Sequence, residues 1–174
     1  MHGRRDRWPR MTEPEMQSYT PWQPEIAKAL IAERRTMPGA AIPILHALQD
    51  RFGYVDKEAV PMIAEALNLT RAEVHGVVTF YHDFRATPPG HHVVKVCRAE
   101  ACQSMGSDPL IAHIEKKVGA TLKHTAADGS VTLEPVYCLG NCALSPALMW
   151  NGELHGKMTP QKFDRLHKSK VGGR

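Results

Sequence analysis

The sequence predicts an α/β (α+β) protein in which a bundle of short helices precedes a small mixed sheet. Apolar residues recur at helical spacing in short runs between residues 24 and 82. After Pro88-Pro89-Gly90 the apolar residues alternate with polar ones, as they do in half-buried strands. Two cysteine pairs, which begin at Cys97 and Cys138, each follow one of these predicted strands. The chain therefore combines a helical part with a sheet that carries all of its cysteines.

The first part of the chain is predicted to form four amphipathic helices. Pro24 suits a first helical position, and Gly53 suits the end of the second helix. Asp56 is expected to cap the third helix, and Thr70 with Glu73 forms the capping-box pattern of the fourth. Helices this short bury little surface alone, so we expect them to pack on the next domain or on a partner subunit. The apolar stripes of the four helices contain Ile26, Leu30 and Ile31; Ala41, Leu45, Leu48 and Phe52; Val60, Ile63, Ala64 and Leu67; and Val74, Val77, Val78 and Tyr81.

The second part is predicted to follow the order β-α-(β)-β-β-α. Residues 93–96 form a strand, and residues 108–119 form a helix that ends at a glycine. Residues 131–136 alternate as a second strand before the second cysteine pair. Asn151-Gly152 is typical of a type I′ hairpin turn, and Thr159-Pro160 is typical of a helix start. Because both cysteine pairs follow strand ends, we expect them to converge at one edge of the sheet.

These patterns divide the chain into three predicted segments. Residues 1–22 mix arginine, proline and tryptophan without an apolar period, which predicts a disordered or partner-ordered arm. Residues 23–84 form the predicted helical bundle, and residues 91–174 form the predicted sheet domain.

Length and charge exclude several classes of function. The chain has 174 residues and a net charge of +4, which is too weakly basic to indicate a nucleic-acid partner. No run approaches the roughly 18 apolar residues that a membrane span needs. The arginine-rich N-terminal segment lacks the apolar stretch of a secretory signal, so we expect a cytoplasmic protein.

The cysteines carry the strongest functional signal in the sequence. The chain has four of them: four residues separate Cys97 from Cys102, and three separate Cys138 from Cys142. Because none is left over and both pairs lie in one small region, we interpret them as the ligands of one four-thiolate site.

Three kinds of site use four thiols. Structural zinc usually takes C-x2-C pairs, and neither pair has that spacing. Disulfides are favoured in secreted domains, and a thiol–disulfide enzyme needs a reactive C-x-x-C. A [2Fe–2S] cluster needs two thiolates on each of two irons, and wider loops suit its two centres. The residues favour the cluster and leave zinc and thiol–disulfide chemistry as alternatives.

The residues around the cysteines are expected to tune such a site. Gly106 and Gly140 are expected to let backbone N–H groups approach the sulfur atoms. Small or apolar neighbours are expected to keep water away from both pairs. These neighbours are Val96, Ala99, Ala101, Leu139, Ala143 and Leu144.

The two cysteine segments resemble the thioredoxin-like [2Fe–2S] ferredoxin family. They read Val-Cys97-Arg-Ala-Glu-Ala-Cys102-Gln-Ser-Met-Gly and Tyr-Cys138-Leu-Gly-Asn-Cys142-Ala-Leu-Ser-Pro-Ala. The chain is also similar to the 24-kDa-type subunit of respiratory complex I and to its relatives in NAD-linked formate dehydrogenases and hydrogenases. The resemblance covers residues 24–169, because the helical part also matches this group at Val-Val-Thr-Phe-Tyr, residues 77–81. The segment Cys-Arg-Ala-Glu-Ala-Cys looks most like the corresponding segment in the gamma subunit of molybdenum, NAD-dependent formate dehydrogenase.

The resemblance implies a thioredoxin-like mixed-sheet ferredoxin domain with one [2Fe–2S] cluster per chain. Cys97, Cys102, Cys138 and Cys142 map one to one onto the ligands of that cluster. The implied partner is a flavoprotein subunit that binds FMN, NAD and a [4Fe–4S] cluster. The implied complex is a formate dehydrogenase that converts formate and NAD+ into CO2 and NADH, with further iron–sulfur clusters and a molybdenum cofactor on other subunits.

No catalytic motif accompanies the cysteines. The sequence contains no nucleophile triad, phosphate loop or glycine-rich dinucleotide fingerprint. We therefore expect a subunit of an NAD-linked oxidoreductase that has no substrate site of its own. A 24-kDa-type subunit of complex I or of an NAD-linked hydrogenase is the first alternative. A zinc-stabilised binding subunit is the alternative from another class.

Overall fold

The computed structural model describes residues 19–172 as two compact units, which cover residues 19–90 and 91–172. The boundary follows Gly90, the last residue of the predicted Pro-Pro-Gly linker. Most of the predicted arm over residues 1–22 lies outside the described residues. No helix within residues 19–172 is long and apolar enough to cross a membrane.

The first unit contains the four predicted helices. Their bounds are α1 Pro24–Arg34, α2 Ala41–Phe52, α3 Ala59–Leu67 and α4 Arg71–Phe80. Gly53 ends α2 with a positive φ of 82°, which glycine adopts without the steric cost of a side chain. The predicted capping box at the start of α4 is present in full.

Two details of the first unit differ from the sequence prediction. Asp56 does not cap α3: its Oδ1 accepts the N–H of Glu58 in the turn that precedes the helix. Trp22, which the prediction assigns to the arm, contacts Phe52 edge to face with ring centroids 4.9 Å apart. The Trp22 Nε1–H also donates to Oε2 of Glu58 at 2.9 Å. The end of the predicted arm therefore packs on the helical core.

The second unit contains a mixed sheet covered by helices. Its strands are β1 His92–Cys97, β2 Val131–Val136, β3 Leu148–Trp150 and β4 Glu153–His155, and its helices are α5 Glu100–Ser104, α6 Ser107–Val118 and α7 Pro160–Val171. The strand order is β2-β1-β3-β4, with β1 parallel to β2 and the other neighbours antiparallel. This arrangement confirms the predicted fold class.

The register of the sheet determines where the cysteine segments lie. In the parallel pair, Val94 lies opposite Leu133 and Cys97 lies opposite Val136. Parallel strands end at the same edge of a sheet, so the segments that follow Cys97 and Val136 leave the sheet side by side. Strand β3 runs the other way and places Leu148 opposite Val96, so it enters the sheet at that same edge.

A single apolar core holds this sheet and its helices together. Trp150 and Phe163 are the largest side chains in it, and both are almost completely buried. The remaining members come from β1, β2, β3, α6 and the segment just before α7. They are Val94, Val96, Leu110, Ile111, Ile114, Val131, Leu133, Leu148 and Met158.

We predict that Gly53→Ala destabilises the helical unit more than Gly39→Ala does. Both glycines have a positive φ, so alanine strains the backbone at either position. A Cβ at Gly53 would lie 2.7 Å from Cγ of Tyr19 and 2.9 Å from Cδ of Pro89, whereas a Cβ at Gly39 would meet nothing within 4 Å. We expect the Gly53 variant to lose about 1 kcal/mol more, the lower end of the cost of overpacking.

The measurement is urea unfolding of each full-length variant, followed by far-ultraviolet circular dichroism. Gly39→Ala is the matched control, since it carries the backbone strain without the steric contact. Equal losses in the two variants would contradict the packing of Tyr19 and Pro89 against the end of α2.

Candidate functional site

The four cysteines lie at the edge where β1 and β2 end. Cys97 is the last residue of β1, and Cys138 follows the last residue of β2 by two positions. Cys102 lies in α5, and Cys142 opens a short 3-10 turn over residues 142–144. Backbone hydrogen bonds tie the segments together: Cys97 N–H donates to Ala147 O at 3.1 Å, and Arg98 N–H donates to Val136 O at 2.8 Å.

The first pair is buried in an apolar environment. The exposed fraction is 3% for Cys97 and 2% for Cys102. The buried Ala147 packs with both cysteines, and Ala99, Val136 and Leu139 cover them in part. Water therefore has little access to these two sulfur atoms.

The second pair lies at the surface. Cys138 and Cys142 are exposed, and their sulfur atoms are 3.7 Å apart. The N–H of Gly140 donates to Sγ of Cys138 at 3.3 Å, in a turn where Gly140 has a φ of 72°. Cys138 itself has a φ of 129°, which is a strained conformation for a residue with a side chain. The predicted approach of a Gly140 N–H to sulfur is present.

The thiols of the two pairs influence one another's pKa values. The pKa of Cys142 is raised by its hydrogen bond with Cys138 and by the negative charge of that thiolate. Burial adds to the increase, and the charges of Cys102 and Cys97 raise the pKa further. Each thiolate thus opposes the ionisation of Cys142, and a bound cation would remove that penalty.

Within the first pair, the pKa of one thiol is raised and the pKa of the other is lowered. Burial raises the pKa of Cys97, and the hydrogen bond with Cys102 adds to the increase, although the backbone of Ala99 and Leu139 lowers it. Burial also opposes the ionisation of Cys102. Hydrogen bonds with Cys97, Ser145 and the Ala147 backbone nevertheless lower the pKa of the Cys102 thiol. Groups from the second cysteine segment therefore reach the sulfur atoms of the first pair.

The donor set fits an iron–sulfur group. Metal–thiolate bonds of about 2.3 Å place two ligands of one tetrahedral metal about 3.8 Å apart. The Cys138 and Cys142 sulfur atoms have this separation, at 3.7 Å. Within residues 19–172, no three His, Cys, Asp or Glu side chains form a group that could hold one metal ion. The spacing of this exposed pair alone suits either iron or zinc.

Some of the predicted surroundings are wrong. The N–H of Gly106 donates to Gln103 O at 3.0 Å, so Gly106 closes the end of α5 and its amide does not serve a sulfur atom. Ala143 and Leu144 are exposed, so they do not shield the second pair. The predicted apolar cover is present only around the first pair, where Ala99 and Leu139 lie, whereas Val96 packs in the core of the sheet.

The sequence analysis missed two residues that shape the site. Ser145 is 8% exposed, and its hydroxyl donates to the carbonyl oxygen of Cys142 at 2.7 Å. A Cβ at Gly156 would lie 2.6 Å from Cβ of Leu144 and 2.8 Å from Nδ2 of Asn141, so the chain passes the second cysteine segment with no room for a side chain. Gly156 carries no local sequence signal, because it acts through contacts with a distant segment. Ser145 lies within the Cys138 segment, but the sequence does not show its contact with the distant Cys102.

Comparisons with known proteins agree on one family. A family model described as thioredoxin-like [2Fe-2S] ferredoxin matches residues 27–170. An NADH-quinone oxidoreductase subunit from Pseudomonas aeruginosa is 38% identical over 132 residues, which cover 76% of this chain and 80% of that protein. NADP-reducing hydrogenase subunit HndA from Solidesulfovibrio fructosivorans is 29% identical over 128 residues, which cover 74% of this chain and 75% of that protein.

A solved structure supports the fold. The air-oxidised NAD+-reducing [NiFe]-hydrogenase matches this chain with a TM-score of 0.65 and 22% sequence identity. The match covers 81% of this chain but only 24% of the hydrogenase chain. At this identity the likeness shows a shared fold. The resemblance to a formate dehydrogenase subunit has no counterpart among the proteins named here.

We predict that Gly156→Ala weakens metal retention by the thiols. The backbone of Gly156 has no positive φ, so the added methyl group acts through its contacts with Asn141 and Leu144. Accommodating it requires the 142–144 turn to move, which displaces Cys142 relative to Cys138. We expect metal loss to a chelator to become at least about threefold faster, equivalent to roughly 0.7 kcal/mol, which is somewhat less than the usual cost of overpacking of about 1–3 kcal/mol.

The measurement is the rate at which metal leaves each purified full-length variant during a chelator challenge. Gly76→Ala is the control, since a Cβ at this helical glycine meets nothing within 4 Å and alanine favours a helix. Retention by Gly156→Ala equal to that of the control would show that the close approach at Gly156 does not hold the second cysteine segment.

Proposed function

The chain belongs to the thioredoxin-like [2Fe–2S] ferredoxin family, and from this premise we propose that it is the electron-transfer subunit of an NAD-linked oxidoreductase complex. The family carries a [2Fe–2S] cluster, which confirms the predicted cofactor. One observation carries the proposal: β1 and β2 are parallel, and their ends bring two thiol pairs to one edge of the sheet. Two thiolates on each of two irons is the ligand set of a [2Fe–2S] cluster.

In this proposal each close pair binds one iron. Cys97 with Cys102 binds one, and Cys138 with Cys142 binds the other. The 3.7 Å separation of the exposed sulfur atoms and the hydrogen bond between the buried thiols support this assignment. Electrostatic repulsion among the thiolates also supports this assignment. Two iron cations would offset the negative charge of the four sulfur atoms.

The protein's own residues act on the site in three ways. The apolar contacts around Cys97 and Cys102 exclude water from the buried half. The N–H of Gly140 stabilises negative charge on Cys138, as the Leu139 and Ala147 backbones do for the buried pair. The exposed position of Cys138 and Cys142 brings the other half to the surface, where a partner can approach. When bound, the cluster supplies reversible one-electron transfer.

We propose that the electrons come from, or go to, a partner subunit. The sequence has no fingerprint for a nicotinamide or for phosphate, so the hydride chemistry falls to a flavoprotein subunit that binds FMN, NAD and a [4Fe–4S] cluster. We expect the complex to work in the cytoplasm, where thiols stay reduced. No nucleic-acid partner is expected.

For the host complex, we propose an NAD-dependent formate dehydrogenase with a molybdenum cofactor and further iron–sulfur clusters on other subunits. The sequences of residues 97–106 and 138–146 support this choice, because they resemble the gamma subunit of that enzyme. A complex I-type NADH dehydrogenase is the second candidate, favoured by the 38% identity with the Pseudomonas aeruginosa NADH-quinone oxidoreductase subunit. A hydrogenase is the third, favoured by the 29% identity with the NADP-reducing hydrogenase subunit.

We predict about two irons and about two acid-labile sulfides per chain in anaerobically purified protein. Serine in place of Cys97, Cys102, Cys138 or Cys142 removes one thiolate ligand, so each variant should lose the cluster or change its visible spectrum strongly. Metal analysis, sulfide analysis and visible absorption measure this. Ser104→Ala is the control, because this exposed serine lies in α5 beside Cys102 and bonds only to Ala101 O among the residues described. A colourless protein with one zinc per chain would show the zinc-stabilised subunit instead.

We predict that a tag on this chain, placed in its native host, co-purifies molybdenum, FMN and formate-dependent NAD+ reduction. The physical reason is that the chain carries electrons but needs a neighbouring subunit to handle hydride. The measurement is metal and flavin analysis of the purified complex with activity assays for formate, hydrogen and NADH. The Cys138→Ser version of the tagged chain is the control, since it tests whether activity depends on the cluster.

Each alternative host has its own result in this experiment. NADH:quinone activity without molybdenum would assign the chain to a complex I-type enzyme, and hydrogen-dependent reduction of NAD+ or NADP+ would assign it to a hydrogenase. Either result overturns the formate dehydrogenase proposal and leaves the cluster assignment in place.

A further inference from the structure

Ser145 contacts both halves of the cysteine site. It follows the 3-10 turn that begins at Cys142, and its side chain is buried. Its Oγ lies 2.7 Å from the carbonyl oxygen of Cys142 and 3.7 Å from Sγ of Cys102. One hydroxyl group therefore connects the backbone of the exposed pair with a sulfur atom of the buried pair.

The direction of the Ser145–Cys102 contact depends on the state of the sulfur atom. A thiol at Cys102 donates its S–H to Ser145 Oγ, while the serine hydroxyl donates to Cys142 O. A metal-bound thiolate has no proton, so it can only accept. Rotation about the Cβ–Oγ bond of Ser145 turns the single hydroxyl hydrogen from Cys142 O toward Cys102 without moving a heavy atom, and the bond to Cys142 O is given up in exchange.

We propose that Ser145 is a positioning residue that donates a hydrogen bond to Cys102 Sγ in the cluster-bound protein and raises the reduction potential of the [2Fe–2S] cluster. This inference rests on the ligand set proposed above. Reduction adds one electron to the cluster and breaks no bond. A hydrogen bond to a ligand sulfur stabilises the more negative, reduced state more than the oxidised state.

Burial makes this hydrogen bond effective. Ser145 is 8% exposed and Cys102 is 2% exposed, so water does not replace the hydroxyl group as a donor. In surroundings of low polarity, a hydrogen bond to a charged acceptor also has a larger electrostatic effect than it has in water. A hydroxyl group at this position therefore acts on the potential more strongly than an exposed one would.

The segment around Ser145 has supports other than its hydroxyl. Ala147 O accepts the N–H of Cys97 at 3.1 Å, and Pro146 O accepts the N–H of Met158 at 2.9 Å. Leu144 O accepts the N–H of Lys157 at 2.6 Å. Because these backbone bonds do not involve the side chain, we expect Ser145→Ala to keep the segment in place while it removes the hydroxyl, including the hydrogen bond from that hydroxyl to Cys142 O.

The test measures the midpoint potential of the cluster in full-length Ser145→Ala, beside its iron and sulfide content. We expect the variant to hold about two irons and two sulfides and to titrate at a more negative potential than the parent. The expected change in the reduction equilibrium constant is severalfold to about tenfold, where tenfold equals about 59 mV for one electron. Ser104→Ala is the matched control, since its exposed hydroxyl lies in α5 and bonds to Ala101 O.

A second pair of variants separates the hydroxyl group from the shape of the side chain. Ser145→Thr keeps a hydroxyl, and Ser145→Val has the same branched shape without one. We expect Thr to titrate close to the parent and Val to titrate at a more negative potential than Thr. This comparison decides the question if the alanine variant does not load a cluster.

Three results would overturn the inference. The first is a midpoint potential in Ser145→Ala equal to that of the parent. The second is an equal shift of the potential in Ser104→Ala. The third is the same potential in Ser145→Val and Ser145→Thr. Loss of the cluster from both hydroxyl-free variants, with retention in Thr, would show that the hydroxyl holds the cluster and does not tune its potential. Absence of a cluster from the parent chain would instead overturn the proposed function, so the two failures are distinct.

Discussion

The parallel pairing of β1 with β2 is the constraint on which the cysteine site depends. Cys97 lies opposite Val136 in the register, and the N–H of Arg98 continues the ladder to Val136 O. Since side chains alternate between the two faces of a strand, a slip of one residue would move the cysteine segments out of register and reverse the faces of the core side chains. The antiparallel strand β3 completes the edge, because Ala147 O accepts the N–H of Cys97 just before that strand begins.

This edge places the two thiol pairs in different environments. The buried pair is removed from water, and backbone groups and a buried hydroxyl replace some of the hydrogen bonds that water would make to the sulfur atoms. The exposed pair lies in a turn with positive φ at Cys138 and Gly140, and Gly156 passes close to the same segment. Thiolates this close together oppose one another, so metal binding and deprotonation are coupled, and binding releases protons. The asymmetry gives one shielded half and one half that is exposed at the surface.

Local signals made most of the fold predictable. The capping box at Thr70, the helix end at Gly53 and the hairpin turn at Asn151-Gly152 each depend on residues a few positions apart, and all three occur as predicted. The predictions were less accurate at the ends of elements. Tyr81 continues the apolar stripe of α4 in the sequence, yet it lies just past the helix end at Phe80 and is 48% exposed.

The sequence by itself determined the order of elements, the family and the four candidate ligands, because periodicity, caps and cysteine spacing are properties of short segments. The tertiary structure alone decided which pair is buried, that Gly106 serves α5 rather than a sulfur atom, and that Ser145 lies between the two pairs. It also decided the role of Gly156, whose neighbours Asn141 and Leu144 belong to another segment. These features arise from packing between segments far apart in the chain, and packing depends on the positions of all the contacting atoms, which no local pattern records.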